Sequence, residues 1–156
     1  MLEEFIQALD KMGVQEAFPV HLKIDTGMKR LGFEADDLDQ LCDVLKRTRQ
    51  IKIKSIFSHL VGSDNKDLDK FTWLQVEQFK AASEKIEKAV GYITIKHICN
   101  TGGISRFKNA HFNMVRLGIG MYGFGVDEQE NTQLQNVNCL LYTSGIGLVR
   151  ILLQIT

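Results

Sequence analysis

"HLKIDTGMKRLGF", residues 21–33, decides how this chain folds. With the three residues before it, it gives "FPVHLKI" (18–24), a short apolar, partly β-branched run of the kind that forms a strand buried in a parallel sheet. The run empties into a polar loop, "DTGMKRLG" (25–32), tightened by Gly27 and Gly32. Lys23 stands inside the apolar run. A buried ammonium is costly, so this lysine must be paired, neutralised or modified. The plainest reading is a side chain that snorkels to the strand end beside Asp25. Arg30 sits in the tightened loop, which argues for a positioned guanidinium over a casual surface ion pair.

Outward from this stretch, helical and strand patterns alternate. Leu2, Phe5, Ile6, Leu9 and Met12 share one helix face, with Gly13 as a stop. Leu38, Leu41, Cys42 and Leu45 mark a second helix starting near Asp36 or Asp37. Residues 67–90 form a long third helix, expected to turn Phe71, Leu74, Phe79, Ala82 and Ile86 inward, and a short helix is expected over Ile104 to Phe107. Strands are expected near 19–24, 52–59, 93–98 and 113–117. Strands alternating with helices predict an α/β fold with a parallel sheet and helical crossovers. In such folds the site forms at the C-terminal ends of the strands. The polar clusters "DTGMKR", "SHLVGSD", "NTGG" and "RLGIGMYG" all fall there.

The 156 residues suffice for one domain with its own core. Lysine plus arginine equals aspartate plus glutamate at 19 each, so no charge excess points to nucleic acid or an anionic membrane. Cys42, Cys99 and Cys139 are widely spaced with no CxxC pair, and no cluster suggests a metal. The acidic, amphipathic start is unlike a signal peptide, and no apolar run is long enough to span a bilayer; a cytoplasmic protein is expected. No Walker motif is present, and "GIGMYG" lacks the downstream acid of a dinucleotide fold.

Among the candidate site residues, His59 ends a strand on the functional face. "NTGG", Asn100 to Gly103, offers a hydroxyl and backbone N–H groups before a short helix, and "RLGIG" repeats the offer at Gly118 and Ile119. Each could be a plain glycine turn. Together they could grip one phosphate, as the loops after the last strands of a TIM barrel do.

These motifs, in this order, resemble the alanine racemase family, enzymes of fold-type III that use pyridoxal 5′-phosphate (PLP). "HLKIDTGMKRLGF" resembles the family's strand-and-loop signature, with Lys29 where glycine is usual. "FSHLVGSD", "HICNTGG" (Thr101 in place of serine) and "MVRLGIGMYG" resemble three further segments, so the likeness spans roughly Pro19 to Phe124. It implies a partial (β/α)8 TIM barrel, roughly its second half, over residues 1–125. Residues 126–156 are then a linker and an unmatched or truncated segment, with a start of the following β-domain left open. The resemblance implies that Arg30 hydrogen-bonds the phenolic oxygen of PLP near the substrate carboxylate. Lys23 becomes the lysine that is carbamylated in many members, an anion that orients Arg30. His59 packs against the cofactor ring. Asn100 and Thr101, with the amides of Gly118 and Ile119, hold the phosphate. Arg116 meets the pyridine nitrogen, with His97 hydrogen-bonded behind it. Arg30, His59 and Arg116 are thus the expected catalytic residues.

The activity implied is interconversion of L- and D-alanine for peptidoglycan in a bacterial cell wall, by an enzyme that is a homodimer when complete. The family's two bases, a PLP-linking lysine and a tyrosine of the later β-domain, have no matching motif here. Tyr122 lies in a different motif and Tyr142 beyond the likeness. The chain is therefore expected to be an internal fragment, inactive alone. A broad-spectrum amino-acid racemase and a non-catalytic PLP-binding barrel protein remain the alternatives.

Overall fold

The computed structural model describes residues 2–126. Helix α1 (Leu2–Lys11) stops before Gly13, whose φ of +67° ends the turn. Strand β1 (Phe18–Lys23) follows, then α2 (Leu38–Arg47), β2 (Ile51–Phe57), α3 (Asp69–Val90), β3 (Ile95–His97) and α4 (Thr101–Arg106). The three strands form one sheet in the order β1-β2-β3, both pairs parallel. This is the α/β arrangement with helical crossovers that the alternation predicts.

The helices cover one face. Leu22, Ile24, Ile53, Ile56 and Ile98 meet Leu41, Leu45, Phe79 and Ile86 in a continuous buried core. Each fully buried aliphatic or aromatic side chain here stabilises the fold by about 1.5–3 kcal/mol relative to exposure. Strand β2 reaches this core by an irregular route. Val20 pairs with Ile53, but the next residue, His21, pairs with Ser55. Lys54 is thus an extra residue, a β-bulge that resets the alternation. Before it, Ile51 and Ile53 face the helices; after it, Ile56 does. Ser55 and Phe57 turn to the other face, alongside His21, Lys23 and His97 in register.

Four expectations are corrected. Residues 113–117 do not form a regular strand. Asn113 N–H bonds the Lys96 carbonyl and Arg116 N–H the Cys99 carbonyl, three residues apart where a ladder repeats every two, and the Asn113 side chain accepts the Lys96 N–H at 2.9 Å. Leu74 is not inward but 51% exposed; α3 instead buries Thr72, Gln75, Val76, Phe79, Ser83 and Ile86, with Phe71 half-buried. Met12, past the end of α1, is also exposed. The short helix starts earlier than expected, at Thr101, because the Asn100 side chain caps it by accepting from Gly103 N–H at 3.0 Å. The expectations for Cys139, Tyr142 and the segment 127–156 lie outside the described residues.

Candidate functional site

The loop carrying Arg30 is held from within and from behind. The Asp25 carboxylate accepts backbone N–H groups from Gly27 at 2.8 Å and from Lys29 and Arg30 at 3.1 Å each. Burial pushes this carboxyl up, but the backbone donors of Gly27, Lys29, Arg30 and Met28 outweigh it and hold it below the ordinary aspartate value. The loop then returns to its own strand. Phe33 N–H bonds the Lys23 carbonyl, and Asp25 N–H bonds the Phe33 carbonyl. Gly32 makes that return possible: its φ is +118°, and a Cβ there would sit 2.9 Å from the Asp25 nitrogen and the Lys23 oxygen. Asp25 therefore spends its charge on its own loop, and among the described residues no carboxylate forms an ion pair with Lys23 or Arg30.

His59 follows β2. Burial, and then the charges of Arg116, Lys23 and Arg30, hold its imidazole below the ordinary value. Three cations from three segments thus bear on one ring. The His59 backbone is fixed by a residue that no sequence motif singles out. Gln75 of α3 donates to the His59 carbonyl (3.1 Å) and to Thr26 Oγ1 (3.3 Å), and accepts Val61 N–H (3.0 Å). Thr26 and Ser58 in turn share a hydroxyl–hydroxyl bond at 2.8 Å.

Arg116 is the most enclosed cation. Its Nη1 bonds His97 Nδ1 and the His97 carbonyl, and its Nη2 bonds the carbonyls of Ser58 and Ile98. Its guanidinium also lies 5.4 Å from the centre of the Phe57 ring, which stacks on His97 at 5.2 Å. Burial, then the charges of Arg116 and His21, push the His97 imidazole down to about 4.

Beside these groups lies a cavity of about 410 Å³, lined by His59, Ser63, Asp64, Asn100, Thr101, Gly102, Gly118, Ile119, Gly125 and Val126. Thr101 Oγ1 accepts the N–H groups of Gly118 and Gly120, each at 3.1 Å. Ile119 lies between them at the start of a 3-10 turn. Asn100 spends its side chain on the protein, accepting from Ser63 Oγ and Gly103 N–H and donating to the Leu60 carbonyl. Arg106 closes the back: it grips both oxygens of Asp69 and bonds the Ser63 carbonyl at 2.8 Å. Arg30 and Arg116 do not line this cavity; they bear on it through His59. Among the described residues no cluster of three His, Cys, Asp or Glu side chains could hold a metal, and no helix is long and apolar enough to cross a membrane.

Residues 2–125 match the family model described as alanine racemase, N-terminal domain. The chain belongs to the alanine racemase family. It is 40% identical over 121 residues to the alanine racemase of Fusobacterium nucleatum, a match covering 76% of this chain and 32% of that one. Its fold resembles the crystal structure of the alanine racemase of Streptomyces coelicolor (TM-score 0.75, 26% identity, 86% of this chain and 37% of that one). It also resembles the alanine racemase of Bartonella henselae with covalently bound pyridoxal phosphate (TM-score 0.65, 26% identity, 80% and 32%). The chain spans about a third of the length of the racemases it matches.

Proposed function

We propose that this chain forms the cofactor-binding wall of a PLP-dependent alanine racemase, a partial (β/α)8 barrel whose whole protein interconverts L- and D-alanine. The observation that carries this reading is the set of three cations, Lys23, Arg30 and Arg116, around His59 and next to the hydroxyl-and-amide cup of Thr101, Gly118 and Gly120. The residues fit an anionic cofactor. Gly120 lets the turn close on Thr101, since a Cβ there would lie 2.8 Å from Thr101 Cγ2. Thr101 and the Ile119 amide would hold the phosphate, joined by the Gly118 amide as it exchanges Thr101 Oγ1 for a phosphate oxygen, and Asn100 holds Thr101's helix in place beneath it.

When bound, PLP supplies an electron-accepting ring that makes the α-hydrogen of an attached amino acid acidic. Arg116 has donors only, and its four Nη hydrogens already have protein acceptors. The Nε–H is then the donor left for the pyridine nitrogen, which Arg116 keeps unprotonated. An unprotonated ring would be the weaker electron sink, and the chemistry it would supply here is proton exchange at the α-carbon. His59, held below the ordinary imidazole value by burial and then by the cations around it, would pack against the ring. Arg30 serves the phenolic oxygen and the substrate carboxylate. With Asp25 spent on its loop, Lys23 as a carbamate would give Arg30 the anion it lacks. The cytoplasm and a homodimer are the setting we assign to the whole enzyme.

The family's lysine and tyrosine bases have no counterpart in these 156 residues, so the chain alone should not turn over. The test is to incubate it with PLP and L-alanine. Weak PLP binding that Thr101→Val abolishes, with no D-alanine above a free-PLP control, is expected. PLP binding indifferent to Thr101→Val would overturn the assignment of the cup, and D-alanine formation would overturn the assignment of both bases.

A further inference from the structure

We propose that Ser55 and His21 are positioning residues that act on Arg116 through His97, as a one-directional chain of hydrogen bonds Arg116→His97→Ser55→His21. Each link follows from the one before. Arg116 carries only donors, so His97 Nδ1, which faces its Nη1, must be the bare, accepting nitrogen. A neutral His97 then has its proton on Nε2. That nitrogen lies 3.2 Å from Ser55 Oγ, so Ser55 accepts. The single proton of the Ser55 hydroxyl is left to donate, and His21 Nδ1 lies 2.6 Å away. With that proton given to His21 Nδ1, the neutral His21 ring is bare at Nδ1 and protonated at Nε2. Ser55 and His97 are buried, 1% and 5% exposed, so water does not compete for these bonds, whereas His21 is exposed at the open end of the chain.

The arrangement exists because of the bulge at Lys54. Without it Ser55 would point into the helix layer, and His97 Nε2 would be a buried donor with no acceptor. With it, the imidazole of His97 is locked in the one tautomer that offers Arg116 a lone pair. The guanidinium is thereby held from rotating, and its Nε–H keeps a constant aim. The purpose given to that aim rests on the cofactor reading; the chain of bonds does not.

The 156-residue chain holds four histidines, so labelling histidine nitrogens with ¹⁵N yields a small set of rings to assign. Without PLP, His97 and His21 should both be bare at Nδ1 and protonated at Nε2, with the His21 Nδ1 signal moved by the Ser55 hydroxyl. Ser55→Ala should abolish that movement and free the Arg116 guanidinium to rotate. Ser55→Thr, which keeps the hydroxyl, should preserve both. His59 and His111 should not shift, which separates loss of the chain of bonds from loss of the fold. A proton on Nδ1 of either His97 or His21, an Arg116 whose rotation ignores Ser55→Ala, or four rings behaving as free imidazole would overturn the proposal. Adding PLP afterwards tests the other reading separately: an intact chain of bonds with no PLP binding would sink the cofactor assignment alone.

Discussion

Gln75, in the middle of α3, donates its side-chain amide to the backbone carbonyl of His59 at 3.1 Å. The contact ties the helix layer to the strand end that carries the candidate ring. Because Gln75 also bonds Thr26 and Val61, one buried side chain sets the relative position of the loops after β1 and β2. Gln75→Leu keeps the volume but leaves the Val61 N–H and the His59 carbonyl without partners. The expected cost is about 2–4 kcal/mol, read from urea denaturation. A loss below about 0.5 kcal/mol would show that water replaces the amide.

Gly32 is expected to tolerate no side chain. Alanine there would adopt an unfavourable φ and press on the backbone of Lys23 and Asp25, neither of which is a flexible end that can yield. Gly32→Ala should destabilise by about 1–3 kcal/mol and lower protection of the Phe33 and Asp25 amides from hydrogen exchange. Unchanged protection of those amides would contradict the claim that the loop closes on its own strand.

Asp25→Ala removes the acceptor for three backbone N–H groups at a partly exposed site, for an expected loss of about 1–2 kcal/mol, while Asp25→Asn retains part of it. The carboxyl is held below its ordinary value, so its contribution is present above the unfolded aspartate value and fades as pH falls through the folded one. In the Ala variant, backbone order parameters at residues 27–30 should fall on the ps–ns timescale. A loop as rigid as in the wild type would mean that the Phe33 return suffices to hold Arg30.

His97 should add a second loss of stability on acidification, one that begins at a higher pH than the loss from Asp25. Its folded value of about 4 lies below the ordinary 6.5. The unfolded chain therefore binds more protons between these values, and stability is full above 6.5 and lost progressively as pH falls to about 4. The shift corresponds to a loss of up to about 3 kcal/mol, and His59 acts in the same direction. Denaturation at pH 7 and pH 4.5 should differ by more than a His97→Asn variant does. Equal stabilities at the two pH values would refute the buried, neutral imidazole.

The parts of this fold that were legible in the sequence are those written in side-chain alternation. Val20, Leu22 and Ile24 mark β1, and the glycines of the Arg30 loop mark its turn. Residues 113–117 also carry apolar residues, yet their bonds to the neighbouring segment, Asn113 N–H to Lys96 and Arg116 N–H to Cys99, fall three residues apart where a ladder repeats every two, and no side-chain pattern records that step. Hydrophobicity places Leu74 inside α3; the unsatisfied groups at the strand ends place Gln75 there instead, and no local pattern carries that demand. The resemblance located His97 and Arg116 but not Ser55 or His21, because the face Ser55 occupies depends on a bulge that period-two reading cannot detect.

That bulge also says which length changes the sheet can absorb. Removing Lys54 alone would leave Ile51, Ile53 and Ile56 in step on one side and Lys52, Ser55 and Phe57 in step on the other, so the shortened strand would run in ordinary alternation. Removing Lys52 instead would throw Ile51 out of step with everything after it. Two lysines two positions apart in the same repeat, both exposed, thus differ entirely in what their absence does: one is a spacer, the other keeps count.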